Sequence, residues 1–195
     1  MTLLWLDLET TGLNPEQDVI LEVAAVLTSD DLHEQDVYSR VLEFPRPLGG
    51  MELIFDAMPP EVITMHGSSG LLAESLRSKL TEGRAAAELR KLMYHSWWDG
   101  DHTQIPPQFI LAGSSVHFDL AFLKRRMPSV VEYLHYRVLD VSSVRTALRT
   151  FGVDVEERPE GDKAHRALAD VRRSIDDLKE LRKNWRLSRR GEFLA

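Results

Sequence analysis

The chain has 195 residues, of which 43% are hydrophobic and 28% charged, and it contains no cysteine. These proportions are those of ordinary globular proteins and exclude disordered, collagenous and coiled-coil chains. Without cysteine there can be no disulfide scaffold, thiol nucleophile or cysteine-ligated metal site. The formal net charge of −7 is unlike that of a protein that simply coats nucleic acid.

The length is that of one domain and suffices to bury a core without disulfides or a structural metal. We expect a single domain over residues 1–195, with a core of about 3–185 and a basic tail of 186–195. The first residues do not have the pattern of a secretory signal, and no apolar run approaches the roughly twenty residues of a membrane helix. The sequence therefore predicts a cytoplasmic protein that does not insert into membranes.

Three strands are predicted first, at residues 3–8, 18–28 and 36–44, and their short connections favour an antiparallel meander. Helical segments then alternate with two further strands. The predicted helices cover 61–65, 84–97, 117–126, 142–150 and 165–185, and the predicted strands cover 109–112 and 136–139. Two polar segments, 98–107 and 156–162, are predicted to be loops. The order β-β-β-α-β-α-β-α predicts an α/β fold with a mixed sheet.

Two carboxylates stand close together at the end of the first predicted strand. Asp7 and Glu9 project to the same face, because alternate residues of a strand share a side. Like charges at this spacing repel unless a cation lies between them. A solvated strand end would explain the pair as well, but the preceding apolar run and the turn signal of residues 10–12 favour a metal site.

Two more carboxylates and a histidine occur at predicted helix starts. Asp119 follows the strand 109–112, and His165 and Asp170 lie at the start of the last helix. Each has an ordinary explanation alone, since aspartate is favoured near helix N-termini and charged side chains are common on helix surfaces. Together with Asp7 and Glu9 they form a set of four oxygen ligands suited to two Mg²⁺ or Mn²⁺ ions. His165 could accept the proton of an attacking water at neutral pH.

These motifs resemble a known enzyme family. The run Asp7-x-Glu9-Thr-Thr-Gly-Leu13, the isolated Asp119 and the run His165-x-Ala-x-x-Asp170 are similar to the three exonuclease motifs of the DEDDh (DnaQ-like) 3′→5′ exonucleases. The resemblance extends from about residue 3 to residue 185. It implies a ribonuclease H-like exonuclease fold, with a mixed five-stranded sheet flanked by helices. It also implies that the four carboxylates bind the metals and that His165 is the general base.

Within this superfamily the chain is most similar to oligoribonucleases. The segments that carry this similarity are 18–24, 66–71 (His-Gly-Ser-Ser-Gly-Leu), 135–142 (His-Tyr-Arg-x-Leu-Asp-Val-Ser) and 165–174. The resemblance implies a homodimer that degrades short single-stranded oligonucleotides, RNA in preference to DNA, to 5′-mononucleotides.

The same resemblance assigns substrate-binding roles. Leu13 would lie between two bases, and Tyr136 would reach the site of the partner subunit. The terminal 5′-phosphate would be held by Ser115, Arg137 and Ser142. His66 belongs to the same substrate-binding set.

Some positions depart from the oligoribonuclease pattern. Glu61 stands where the family usually has a tryptophan that stacks on a base, and Ser114 stands where it usually has asparagine. The Thr10-Thr11-Gly12 form is commoner in general DnaQ-like nucleases. A general 3′→5′ exonuclease acting on longer single-stranded DNA or RNA is therefore the alternative. An inactive binding scaffold is disfavoured, because no ligand carboxylate is missing.

Basic residues concentrate in the last predicted helix and the tail, from Arg172 to Arg190. They are explained either as a solvated helix face or as a patch that draws in an anionic substrate, an effect that salt would weaken.

Overall fold

The computed structural model describes residues 2–45, 52–96, 108–155 and 165–192, with the side chains of 52–54 and 187–192 excepted. Five strands occur in these ranges: β1 (Leu3–Thr10), β2 (Ile20–Thr28), β3 (Glu34–Val41), β4 (Phe109–Gly113) and β5 (Leu134–Asp140). The helices are α1 (Glu52–Ala57), α2 (Pro60–Ser68), α3 (Leu71–Arg77), α4 (Glu82–His95), α5 (His117–Arg126), α6 (Pro128–Val131), α7 (Val141–Thr150) and α8 (Ala167–Glu192).

The strands form one mixed sheet in the order β3-β2-β1-β4-β5. β1 pairs antiparallel with β2, and β2 pairs antiparallel with β3, which confirms the predicted meander. β4 runs parallel to β1, and β5 runs parallel to β4, as crossover connections through helices require. The predicted α/β class with a mixed five-stranded sheet is thus confirmed.

The sequence missed three short helices, α1, α3 and α6. None is longer than seven residues, so none shows enough turns for a helical period to stand out. The last helix begins at Ala167 rather than at residue 165 and runs to Glu192, beyond the predicted end at 185. The predicted loops at 98–107 and 156–162 lie outside the described residues.

Both faces of the sheet are covered. β2 is buried along its whole length. One face packs against α4, α5 and α6, and the other packs against α7 and α8. Trp5 is fully buried on the second face, where its Nε1–H donates to Thr28 Oγ1 at 2.9 Å. β1 is therefore a central strand, and carboxylates at its C-terminal end lie against protein on several sides.

A compact turn follows β1. The Asp18 carboxylate accepts hydrogen bonds from Thr11 Oγ1 at 2.9 Å and from the Asn14 amide at 2.8 Å. A Cβ atom on Gly12 would lie 2.5 Å from Asp18 Oδ2, so glycine is required for this carboxylate to close the turn. The turn leaves Leu13 81% exposed directly beside the end of β1.

Several basic side chains of α8 form ion pairs with acidic side chains of the same chain. Arg172 pairs with Glu34, Lys179 with Asp176, and Lys183 with Glu180. These pairs favour the first explanation of the basic segment, a solvated and internally balanced helix face. None of the helices in the described part of the chain combines the length and the apolar character that crossing a membrane requires.

Candidate active site

Three carboxylates meet where the C-terminal half of β1 faces the first turn of α8. Asp7 and Glu9 come from β1 and Asp170 from α8, and each offers an oxygen within 4.8 Å of the oxygens of the other two. We call these three residues the carboxylate cluster. The strand period places Asp7 and Glu9 on one face, and the packing of α8 against β1 brings Asp170 to them. Three of the four predicted metal ligands are therefore brought together.

The fourth, Asp119, lies outside that cluster but is attached to the same strand. Its Oδ1 accepts a hydrogen bond from the Leu8 amide at 3.0 Å, between Asp7 and Glu9. β1 pairs with β4 only over Leu3–Trp5, so the Leu8 amide lies beyond the ladder and takes a side-chain acceptor instead. Asp119 is only 4% exposed, and this burial raises its pKa to about 7. In this conformation its carboxylate is therefore costly to ionise without a nearby cation.

The donor set fits divalent cations. All candidate ligand atoms are carboxylate oxygens, which are the ligands that Mg²⁺ and Mn²⁺ prefer. Glu9 is 7% exposed, so mutual repulsion in the cluster is poorly screened by water. A bound cation would remove both the repulsion and the cost of burial. The cluster could hold a metal ion for these two reasons.

His165 lies two residues before α8, with its backbone in the left-handed region at φ 47°. It lines a cavity of about 790 Å³ together with one side of α2. We call this the α2 cavity. Its other lining residues are Pro60, Glu61, Thr64, Met65, Ser68 and Ser69. Asp170 lies five residues further along the chain, so the predicted base and the carboxylate cluster share one chain segment.

His66, which the resemblance assigns to substrate binding, lies inside the protein in this structure. Its side chain is fully buried, so in this conformation it cannot contact a substrate that arrives from solvent. Its Nε2–H donates to the Thr10 carbonyl at 2.9 Å, and Nδ1 lies 3.9 Å from Glu9 Oε2. Burial lowers the pKa of His66, which keeps the ring neutral. In this structure His66 therefore joins α2 to the end of β1, and its role in substrate binding stays a prediction.

The proposed phosphate-binding residues lie near the C-terminal ends of β4 and β5. The hydroxyls of Ser115 and Ser142 are 3.5 Å apart, and Asp140 Oδ1 accepts from the Ser115 amide at 3.3 Å. Arg137 lies on β5 with its guanidinium 5.2 Å from the ring centre of Tyr136. Tyr136 is 79% exposed, so its ring is available to a ligand or to another protein surface. The two serines are brought together, and Arg137 and Tyr136 form a neighbouring exposed pair.

Two features escaped the sequence reasoning. Ser114, at the position of the family's asparagine, lies with its hydroxyl 2.9 Å from that of Ser174 on α8. Glu22 is buried in the middle of the sheet, directly opposite Glu9. A single glutamate within an otherwise apolar predicted strand indicates that Glu22 has a special role. Only the strand register shows that it faces Glu9.

Comparison with known proteins assigns the family. The model of a family described as Exonuclease matches residues 4–177. An oligoribonuclease of Haemophilus ducreyi is 34% identical over 94% of this chain and 93% of its own length. An oligoribonuclease of Rhodococcus jostii is 36% identical over 93% of this chain and 86% of its own length. A probable oligoribonuclease of Schizosaccharomyces pombe is 33% identical over 94% of this chain and 68% of its own length.

Solved structures with a similar fold include exonuclease I proteins. The zinc-bound complex of Escherichia coli exonuclease I with single-stranded DNA has a TM-score of 0.62 and 16% identity, over 91% of this chain. Another exonuclease I structure has a TM-score of 0.62 and 20% identity, over 90% of this chain. The chain spans 39% of the length of each, so this likeness concerns the fold alone. Family model, relatives and fold agree that the chain is a member of the exonuclease family, in its oligoribonuclease group.

Proposed function

We propose that this protein is a 3′→5′ exoribonuclease that uses two divalent metal ions, Mg²⁺ or Mn²⁺, to hydrolyse short oligonucleotides, down to dinucleotides, to 5′-mononucleotides. The observation that carries the proposal is the carboxylate cluster of Asp7, Glu9 and Asp170, with His165 two residues before α8, the helix that carries Asp170. The oligoribonuclease relatives supply the substrate class.

In the proposed reaction, water attacks the terminal phosphodiester and the bond from phosphorus to the 3′ oxygen breaks. His165 accepts the proton of the attacking water, and the leaving 3′ oxygen takes up a proton. When bound by Asp7, Glu9, Asp119 and Asp170, the divalent ions would stabilise negative charge on the attacking and leaving oxygens. The exposed edge of the α2 cavity lets the water and the phosphodiester reach His165.

Recognition of a short substrate would involve both its bases and its terminal 5′-phosphate. Leu13 would lie between the two bases, since it projects from the turn beside the carboxylate cluster. The hydroxyls of Ser115 and Ser142, with the Arg137 guanidinium, would bind a terminal 5′-phosphate by hydrogen bonds and charge. Tyr136 would cap a base in the partner subunit of a homodimer, and its 79% exposure leaves it available for that role.

One observation favours the alternative of longer single-stranded DNA or RNA. Glu61 lines the α2 cavity with Thr64 and Ser68, and no Trp, Tyr or Phe is among the described residues that line it. Stacking of one base on an aromatic side chain contributes about 1–3 kcal/mol, and it would be missing on this side. A dinucleotide has only two bases with which to replace that contribution, whereas a long strand has many.

The deciding experiment is a product time-course with Mg²⁺ or Mn²⁺ on 5′-labelled RNA and DNA of two, five and twenty nucleotides. The proposal requires the RNA dinucleotide to have the highest kcat/KM. Stepwise trimming of the twenty-mer with accumulation of dinucleotides would contradict it and establish the alternative. A monomeric mass by light scattering at micromolar concentration would separately remove the role of Tyr136 in a partner subunit.

A further inference from the structure

A second buried glutamate lies beside the carboxylate cluster. Glu22 on β2 is directly opposite Glu9 on β1 in the antiparallel register, and the two residues are 2% and 7% exposed. Directly opposed residues of neighbouring strands project from the same face of the sheet, and like charges in this arrangement are destabilising. Glu22 therefore needs a compensating partner that leaves Glu9 available.

Arg166 is that partner. Its Nε lies 3.1 Å from Glu22 Oε2, and its Nη2 lies 3.1 Å from Glu22 Oε1. The Ala167 amide, at the start of α8, donates to Glu22 Oε2 at 3.0 Å. Both oxygens of Glu22 are thus engaged by Arg166 and by the first amide of α8.

The same guanidinium reaches a third element. Arg166 Nη1 and Nη2 donate to the two oxygens of Glu74 on α3, at 3.0 and 2.8 Å. α3 follows α2 after a tight turn at Gly70, which has φ 77°. Arg166 therefore connects β2, α8 and the pair of helices that includes one wall of the α2 cavity.

The residues joined in this way flank the candidate catalytic groups. Arg166 immediately follows His165, and its carbonyl accepts the Asp170 amide at 3.1 Å within the first turn of α8. We propose that Arg166, held by Glu22 and Glu74, is a positioning residue that brings Asp170 to Asp7 and Glu9 and fixes His165 beside the α2 cavity. This rests on the proposed function for the role of His165, but its consequence for metal binding does not depend on the substrate.

The test is Arg166→Lys, with Mn²⁺ binding measured by titration calorimetry on the nucleotide-free protein. Lysine keeps the positive charge but loses the planar fork that engages two carboxylates at once. Mutating residues that orient metal ligands typically weakens metal affinity by about 10–100-fold. We expect a loss of that size in Mn²⁺ affinity, with a fall in kcat on a dinucleotide that exceeds any change in KM.

Arg172→Lys is the matched control. Arg172 lies on α8, six residues after Arg166, and makes the same type of contact with Glu34, with Nε and Nη2 each 3.1 Å from a carboxylate oxygen. Glu34 is on the edge strand β3 and outside the carboxylate cluster. This variant measures what losing an arginine fork on α8 does to the protein, and we expect its Mn²⁺ affinity to stay within twofold of the wild type.

Two further variants keep the proposal testable if Arg166→Lys does not fold. Glu22→Gln keeps the shape of the buried side chain but removes its charge. Glu74→Gln removes only the charge of the half-exposed carboxylate that pairs with Arg166. We expect weakened Mn²⁺ binding in Glu22→Gln, and in Glu74→Gln mainly a raised KM, because Glu74 positions the cavity wall. Wild-type Mn²⁺ affinity in folded Arg166→Lys or Glu22→Gln would overturn the proposal even if dinucleotide hydrolysis is established. Weakened Mn²⁺ binding in them would support it even if the substrate is a long strand.

Discussion

The two halves of the candidate site are built differently. The carboxylate cluster and Asp119 are set into a central strand and the helices packed on it, and Glu9 and Asp119 are almost fully buried. Apart from His165, the α2 cavity is instead lined by one short helix and its C-cap, and the side chains of Glu61, Thr64 and Ser68 are exposed there. Buried carboxylates constrain one another and the strand that carries them, whereas exposed side chains on a helix can change without disturbing the core.

This difference accounts for the most prominent match and the most prominent departure of the chain relative to its family. The motifs proposed to supply the chemistry match the pattern that the resemblance implies at each of the five predicted catalytic positions. The clearest departure, Glu61, lies on the exposed helix. The proposed function therefore assigns the reaction type to the core of the fold, and the length and bases of the substrate to side chains outside it. Four predictions test this division.

The largest effect is expected from the buried half. Asp7→Asn removes a candidate metal ligand, and stabilisation of the reacting oxygens by metal ions amounts to several kcal/mol. We expect activity on any oligonucleotide to fall by about a thousandfold or more, measured as kcat in saturating Mn²⁺. Asp36→Asn, at an exposed position of β3, is the control and should retain full activity. Activity that persists in Asp7→Asn would refute the assigned site.

His165→Asn should have the next largest effect. Asparagine tolerates the left-handed backbone found at φ 47°, so the variant removes the imidazole without forcing a change of conformation. General-base catalysis contributes about 10²–10⁴-fold, and we expect kcat to fall by about a hundredfold or more with unchanged Mn²⁺ affinity. His33→Asn, at an exposed site, controls for loss of a histidine. An unchanged kcat would show that another group accepts the proton.

Glu61→Trp tests the exposed half alone. A tryptophan in the α2 cavity would offer a stacking surface worth about 1–3 kcal/mol per base. We expect kcat/KM on a dinucleotide to rise by about tenfold relative to a twenty-mer, without a change in metal affinity. Glu61→Gln removes only the charge. It therefore shows whether any gain in Glu61→Trp comes from lost charge repulsion of the substrate or from base stacking. If Glu61→Trp leaves the ratio of short to long substrate unchanged, the α2 cavity is not where a base binds.

The smallest effect concerns stability and pH. Because burial raises the pKa of Asp119 to about 7, the folded protein favours the protonated carboxyl. The stability this provides is present in acid and is lost as pH rises through about 7. In EDTA, the Tm of the wild type should therefore fall relative to that of Asp119→Asn between pH 5.5 and pH 8, by roughly 4 °C or more. Parallel Tm curves for the two proteins would show that Asp119 is ionised throughout.

The sequence predicted the candidate metal ligands better than it predicted the buried residues that contact them. Asp7, Glu9 and Asp170 could be grouped from strand period and family motif, and the structure brings them within 4.8 Å of one another. The roles of Glu22 and His66 depend on a strand register and on the packing of α2 against β1, which join residues 13 and 56 positions apart. Contacts of this kind leave no periodic signal, so an exposed and a buried histidine look alike in the sequence.

The most direct test of the candidate metal centre is anomalous scattering from crystals of the protein soaked in Mn²⁺. We expect a peak at ligand distance from the carboxylate oxygens of Asp7, Glu9 and Asp170, which is lost in crystals of Asp170→Asn. Manganese bound elsewhere, with these three carboxylates left without a metal, would contradict the assignment on which the proposed reaction depends.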